Sequence, residues 1–267
     1  MSGFSSDWLA LREPYDLRAR DPLLLEAVKA WAADRHSILV VDLASGTGAA
    51  MRALSPHLPM HQRWRLVDND LSLLARVPTP PSSRISVATT PVDLAYDLEA
   101  ALDGAVDIVT TSALLDLVSQ EWLDRLVTEV AVRHLPFYAT LSYDGRIAFT
   151  PKDDADEIVV AAVNRHQRRD KGFGAALGPQ AAMKAVRHFR RLGYQVDFKE
   201  SDWVLDRSDQ AIQLELLNGY AGVARSMDTS LSSVAGWFTR RRELINAGRS
   251  ELRVGHIDFF ARPTGRR

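Results

Sequence analysis

The stretch ILVVDLASGTG, residues 38–48, decides how this chain is read. Four apolar residues, Ile38 to Val41, lead into Asp42 and a loop of small residues, and a helical pattern follows from Ala49. That order describes a buried parallel strand feeding a tight turn into a helix. In open α/β sheets such a loop lies at the carboxyl ends of the strands, where ligands bind. Ala44, Ser45, Gly46 and Gly48 let a ligand approach the backbone closely, and the helix beyond them offers free N–H groups.

Working outward, residues 1–36 are expected to form a helical preface or lid, with Asp21 as an N-cap and Pro22 at the first helical position. The helix from Ala49 is stopped by Pro56 and Pro59. A second strand over 63–70 ends at Asp68, and a short helix and a proline-rich loop at 78–81 follow. A third strand, 84–90, leads into PVDL with Asp93, and a fourth, 106–118, runs into a loop before a helix capped by Ser119. A fifth strand covers 135–143, and Asp144-Gly145 before RIAFT predicts a hairpin with a two-residue turn. Strand and helix alternate to this point, which implies a parallel sheet covered on both faces.

Beyond it the alternation loosens. Helices are expected over 153–174 and over 178–193, the second ending at a C-cap Gly193. One strand is expected over 193–205, two helices over 208–248, and a closing strand over 254–261. The chain shows no internal repeat and no linker. It reads as a preface (1–36) followed by one α/β domain (37–267), with helical insertions around 153–192 and 208–247.

Composition narrows the function classes. A formal net charge of −1 over 267 residues provides no global field for nucleic acid or an anionic membrane, so neither is an expected partner. The chain has no cysteine, which removes disulfides, thiolate chemistry and iron–sulfur ligation and suits a reducing cytoplasm. The polar start carries no signal peptide, and no apolar run approaches the roughly 20 residues that span a bilayer, so a cytoplasmic location is expected. No His/Asp/Glu set has metal-ligand spacing, so no metal is expected.

Asp42, Asp68 and Asp93 recur at strand ends. Each alone could simply cap the helix that follows. Together with the glycine loop they suit a nucleoside. Asp68, twenty residues beyond Gly48, is placed for a ribose hydroxyl pair, and Asp93 with Leu94 for the base. A dinucleotide fingerprint needs a third glycine, where this chain has Met51, and a Walker loop needs a lysine that is missing here. The nucleoside is therefore one without a pyrophosphate.

These blocks resemble the class I S-adenosylmethionine-dependent methyltransferases. DLASGTG is similar to their first motif, D/E-x-G-x-G-x-G, with Ala44 in place of the first glycine. RLVDND resembles the second motif, PVDL the third, and TSALLDLV the region after strand four. The resemblance implies a Rossmann-like three-layer sandwich around a mostly parallel seven-stranded sheet whose last strand is antiparallel. It implies S-adenosylmethionine as cofactor and S-adenosylhomocysteine as product. Asp42 and the Ala44–Gly48 backbone, including Ser45 and Gly46, would line the methionine portion, and Ser112 would pass its end. Asp68 would hold the ribose with Asn69 beside it, and Asp93 and Leu94 would sit at the adenine.

The activity so implied is in-line methyl transfer to a small-molecule oxygen or nitrogen acceptor. Asp116 stands where many members of that family carry a polar residue facing the acceptor, and is the first candidate for substrate contact or base. The competing explanation is a helix-end charge answering the macrodipole. Tyr143, after strand five, and His166, in NRHQRRDK, are weaker candidates, the latter explained equally by charges at a helix C-terminus. Arg18 and Arg20 are read as solvated, the other option being a contact to the methionine carboxylate from a folded-over preface. Phe173, Leu216, Tyr220, Trp237 and Phe238 suit an acceptor pocket or a subunit interface, the second implying a homodimer, with plain core packing as the competing explanation. Two other functions are kept open. One is an NAD(P)-dependent oxidoreductase on a doubly wound fold; the other is a non-catalytic relative that binds the nucleoside as a sensor or scaffold.

Overall fold

The computed structural model describes residues 4–80, 82–227 and 231–265, so Pro81 in the expected loop and Ser230 in an expected helix lie outside it. The elements in chain order are α1 (Ser6–Ala19), α2 (Pro22–Ala32), β1 (Ser37–Leu43), α3 (Ala49–Leu54), β2 (His61–Asp68), α4 (Leu71–Leu74) and β3 (Ile85–Pro91). They continue with α5 (Leu98–Ala101), β4 (Ile108–Ser112), α6 (Gln120–Val132), β5 (Phe137–Thr150), α7 (Asp156–His166) and α8 (Ala181–Arg191). The last are β6 (Tyr194–Glu200), β7 (Trp203–Leu205), α9 (Gln210–Ser226), α10 (Leu231–Asn246) and β8 (Glu251–Pro263).

The sheet runs β3-β2-β1-β4-β5-β8-β6, with the short β7 added against β8. Strands β1 to β5 are parallel to one another, and β8 enters antiparallel between β5 and β6. This is the mostly parallel arrangement with an antiparallel last strand that the resemblance implies, enlarged by one short strand. Chain order reverses at β1 and β4, and that switch point is where an open α/β sheet binds ligand.

Strand parity explains the layers. Val41, Leu43, Phe137, Ala139 and Phe259 face a core closed by α6 and α8. Their neighbours Ile38, Val40, Tyr138 and Phe260 face the opposite core, closed by α2 and α3. Alternation along each strand sends successive side chains to opposite faces, so central strands must be apolar throughout. The edge strand β3 is mostly exposed, and its polar residues ISVATT fit that position. Asp21 caps α2 as its sequence predicts, accepting a hydrogen bond from the Leu24 N–H at 3.0 Å. Among the described residues no helix is long and apolar enough to cross a membrane.

The second half of β5 departs from expectation. No hairpin forms at Asp144-Gly145; β5 continues to Thr150 on the same partner, β8. Tyr143 pairs with His256 and Ile147 with Val254, so three residues oppose Gly255 in a bulge. The Asp144 carboxylate accepts hydrogen bonds from the backbone N–H of Arg146 at 3.0 Å and from its guanidinium at 2.7 Å, folding the extra residues back on themselves. A Cβ at position 255 would stand 2.3 Å from Asp144 Oδ1, so only glycine allows the approach. Asp-Gly between apolar runs signals a reversal, but a partner strand more than a hundred residues away makes it a kink instead.

Because β5 and β8 are long, they carry the sheet past its ligand end and support a second core. Tyr143, Phe149, Trp203, Leu205, Ile212, Trp237 and Val254 fill it, under α7, α9 and α10, with Trp8, Leu11 and Tyr15 of α1 against its side. Two smaller differences arise here. The strand expected over 193–205 breaks at Ser201, whose N–H binds the His256 carbonyl and whose hydroxyl donates to Asp258 at 2.5 Å. The helix expected to reach 174 stops at His166, and Asp170 turns the following loop by accepting from the N–H groups of Gly172 (2.6 Å) and Gly174 (3.1 Å).

Candidate functional site

The loop after β1 is held by β2. The Ser45 N–H donates to the Val67 carbonyl at 2.9 Å, and the Gly46 N–H to Asp68 Oδ2 at 2.8 Å. Asp68 Oδ1 accepts from the Asp70 N–H at 2.9 Å. Asp68 thus fixes the loop's height above the sheet, while each carboxylate oxygen keeps a second acceptor site. Ala44, standing in for a glycine, adopts φ +54°, in the left-handed region. That conformation costs an alanine about 1–2 kcal/mol, partly offset by the greater chain entropy glycine loses on folding. Ala44→Gly is therefore expected to stabilise the protein by about 0.5–1 kcal/mol, read as a higher urea midpoint at unchanged slope.

Above this loop opens a cavity of about 1030 Å³, at the upper end of the volumes that hold small molecules. Asp42, Ala44, Ser45, Gly46, Asp68, Asn69, Asp93, Leu94 and Ser112 all line it. Gly48 does not, and serves as the N-cap of α3 at φ +80°. Asp93 Oδ1 accepts from the Ala95 N–H at 3.0 Å, and the Leu94 carbonyl accepts from the Trp122 indole at 2.6 Å. Asp93 thus closes the turn after β3 while lining the cavity, and the N-cap of α5 is Asp97.

Asp42 is the unusual group. It is 1% exposed, and neither carboxylate oxygen has a hydrogen-bond partner among the described residues. Burial pushes its carboxyl up to about 8; Arg20 opposes this and the nearby Asp68 adds to it. Ser45 beside it is also buried, with an unpartnered hydroxyl. A buried carboxylate without a partner is costly unless a cation completes it.

The roof could not be read locally. Helix α1 lies over the cavity and contributes Leu9, Arg12 and Asp16; the loop after α7 contributes Asp170, Lys171 and Phe173. Arg12 and Asp16 form a two-bond ion pair at 2.9 and 3.1 Å, one helical turn apart, and Asp16 also accepts from the Trp203 indole at 3.0 Å. The i,i+4 spacing was the one available signal. Phe173 stands edge-on to Trp122 at 5.2 Å between centroids. Arg20 is not solvated. It is 6% exposed beneath the site, donating to Thr140 Oγ1 at 3.0 Å, whereas Arg18 is on the surface, paired with Asp209 at 3.4 Å.

The three catalytic candidates sit behind the cavity wall rather than on it. Asp116 is 5% exposed in the turn Leu115–Leu117, behind the lining residues Leu114 and Leu117. Its Oδ1 has no partner among the described residues, and burial pushes its carboxyl up to about 6. The Tyr143 hydroxyl donates to Asn164 Oδ1 at 2.8 Å, and burial raises its phenol. His166 Nδ1 lies 3.2 Å from the Lys171 ammonium, and burial together with that charge lowers the imidazole. Lys171 itself does line the cavity. Among the described residues no group of three or more metal-ligating side chains is placed to hold an ion.

No protein-family model matches the chain, and no match is found among curated proteins. Solved structures do match. A cyclopropane synthase from Mycobacterium tuberculosis is 10% identical, with 97% of this chain and 95% of that one aligned at a TM-score of 0.51. A cyclopropane-fatty-acyl-phospholipid synthase-like protein from Lactobacillus casei is 11% identical, with 97% and 94% covered at 0.49. A methyltransferase from Thiobacillus denitrificans, solved with S-adenosylhomocysteine, is 12% identical, with 96% and 98% covered at 0.45. The likeness to the Mycobacterium enzyme, together with the strand order, shows that the chain has the Rossmann-like fold of the class I S-adenosylmethionine-dependent methyltransferases.

Proposed function

We propose that this chain is an S-adenosylmethionine-dependent methyltransferase acting on a small-molecule oxygen or nitrogen acceptor. The observation that carries the reading is Asp42, a buried and unpartnered carboxylate under the glycine loop. A carboxyl there ionises favourably against a ligand whose nearest part is cationic and is driven further from ionising by a pyrophosphate. The orphaned Asp42 and Ser45, the loop backbone and the half-exposed Asp68 fit a cofactor with an ammonium at one end, a sulfonium next to a central ribose, and a base beyond it. When bound, that cofactor supplies an already activated methyl group. The chain's own tasks are then to align the acceptor and exclude water, which the α1 and 170–173 walls serve. Asp116 stands behind the lining residues Leu114 and Leu117, and its charge acts on Lys171.

The oxidoreductase alternative fits less well. Met51 occupies the third glycine position and is 4% exposed in the core, so helix and strand do not pack as closely as a dinucleotide site needs. Calorimetry with S-adenosylhomocysteine, NAD and NADP separates the two, and tighter NAD binding would overturn the proposal. Methyl-labelled cofactor incubated with the protein and a cell extract then tests turnover; binding without any labelled product would favour a sensor or scaffold. Asp68→Ala is expected to weaken S-adenosylhomocysteine by about 1.5–3 kcal/mol, the worth of hydrogen bonds to a charged group. Unchanged affinity would remove Asp68 from the site.

A further inference from the structure

Among the described residues, the roof of the cavity holds one cation that no carboxylate pairs. Of its two lining cations, Arg12 is fully answered by Asp16. Lys171 is not: no ion pair joins it to a carboxylate among the described residues, and its ammonium contacts only the imidazole of His166, at 3.2 Å. The adjacent Asp170 is held by the N–H groups of Gly172 and Gly174. Arg169, exposed and likewise without an ion pair among the described residues, adds a like charge close to both Lys171 and His166. Burial and Arg169 both hold the Lys171 ammonium below its ordinary range, while the buried Asp116 behind the wall opposes them. Charges at the end of α7 are explained by its dipole, but Lys171 lies five residues beyond that helix and lines the cavity. The chain's net charge is −1, so this cluster is a local feature and not an outgrowth of general basicity.

We propose that Lys171, with Arg169 behind it, is the receptor for an oxyanion, a carboxylate or a phosphate, on the methyl acceptor. The substrate class is then an anionic small molecule. This rests on the methyltransferase reading above. The methionine end of the cofactor would have other partners in the loop, Asp42 and the Ser45 hydroxyl, both without a hydrogen-bond partner among the described residues. The Lys171 segment stands over the turn after β4, tied to it by the Ser119–Ala176 bridge and by the Leu177 N–H donating to the Val118 carbonyl at 2.8 Å.

The test uses the full chain in a calorimeter, saturated with S-adenosylhomocysteine and titrated with inorganic phosphate and, separately, with acetate. Saturable binding of one or both is expected, and the stronger of the two distinguishes phosphate from carboxylate. Lys171→Met should weaken it at least tenfold and Lys171→Arg should retain most of it. Arg169→Gln, at an exposed position that folding does not depend on, should weaken it by a smaller factor. S-adenosylhomocysteine affinity should stay within twofold in Lys171→Met, and labelled product from extract should be retained on an anion exchanger at pH 7. Absence of saturable anion binding overturns the proposal. So does a Lys171→Met protein that loses S-adenosylhomocysteine but keeps 5′-methylthioadenosine, because Lys171 would then serve the cofactor's own carboxylate. Wild-type protein that binds phosphate through Lys171 but never binds S-adenosylhomocysteine would leave the anion receptor standing and sink the methyltransferase reading instead.

Discussion

Arg241→Met is expected to destabilise the protein by about 3–5 kcal/mol, the cost of leaving one member of a buried ion pair alone. Arg241 is fully buried at the centre of the second core. Its Nε donates to Asp156 Oδ1 at 3.1 Å, a second nitrogen bonds Asp156 Oδ2, and the third donates to the Pro151 carbonyl at 2.6 Å. Its guanidinium carbon lies 4.5 Å from the centre of the Phe149 ring, and the Trp237 indole donates to Asp156 Oδ1 at 2.8 Å. One arginine therefore joins β5, α7 and α10. Methionine can replace the contact with Phe149 but none of the charge-assisted bonds, so Asp156 keeps only the indole as a side-chain donor. Urea unfolding reads the loss. The double variant Arg241→Met/Asp156→Leu should be less destabilised than Arg241→Met alone, because no orphaned charge remains. If the two lose equal stability, the pair is not what holds the lobe.

The strand-to-helix unit at 38–48 was legible because its signal is local and redundant. A strand buried on both faces must be continuously apolar, and Ile38 to Val41 are. The acids at Asp42, Asp68 and Asp93 were legible for a related reason: each lies within two residues of a strand's end, and parallel strands deliver their ends to one edge. What the chain hides are decisions made by distant partners. Asp144-Gly145 carries every local mark of a turn, yet Gly255 on β8 and the Asp144–Arg146 bonds make it a bulge. Arg20 looks like a surface arginine until Thr140, 120 residues later, takes its hydrogen bond. The roof is hidden in the same way. Neither Arg12 nor Lys171 lies near the glycine loop in sequence, and only the packing of α1 and the 167–177 loop over the strand ends brings them to the cavity. The floor of the cavity, built on the glycine loop and the strand ends, was thus readable from short-range pattern, and its roof, built from long-range contacts, was not.

Asp42→Asn is expected to stabilise the ligand-free protein and to remove most of its affinity for S-adenosylhomocysteine. In the unfolded chain this carboxyl has its ordinary pKa near 3.8; in the folded, empty site burial pushes it up to about 8. Between those values the native state holds a proton that the unfolded state has lost, so stability falls as pH rises through the interval and levels off above 8. From pH 6 to 8 the wild type should lose about 2 kcal/mol relative to Asp42→Asn, which lacks the group. Three other buried groups make the variant comparison necessary. Asp116 and Asp258, both pushed up to about 6, act mostly below this window. His256, held down to about 3 by burial, works in the opposite direction below its unfolded pKa. Ligand reverses the balance at Asp42. A cation placed against the carboxylate favours its ionised form, so binding at pH 7 should release close to one proton, seen as a calorimetric heat that changes with the buffer's ionisation enthalpy. In the Asp42→Asn variant that proton release should vanish together with most of the affinity. Tight binding retained by the variant, with no proton release in either protein, would mean that the cofactor's charged end lies elsewhere and that Asp42 is only a strained core residue.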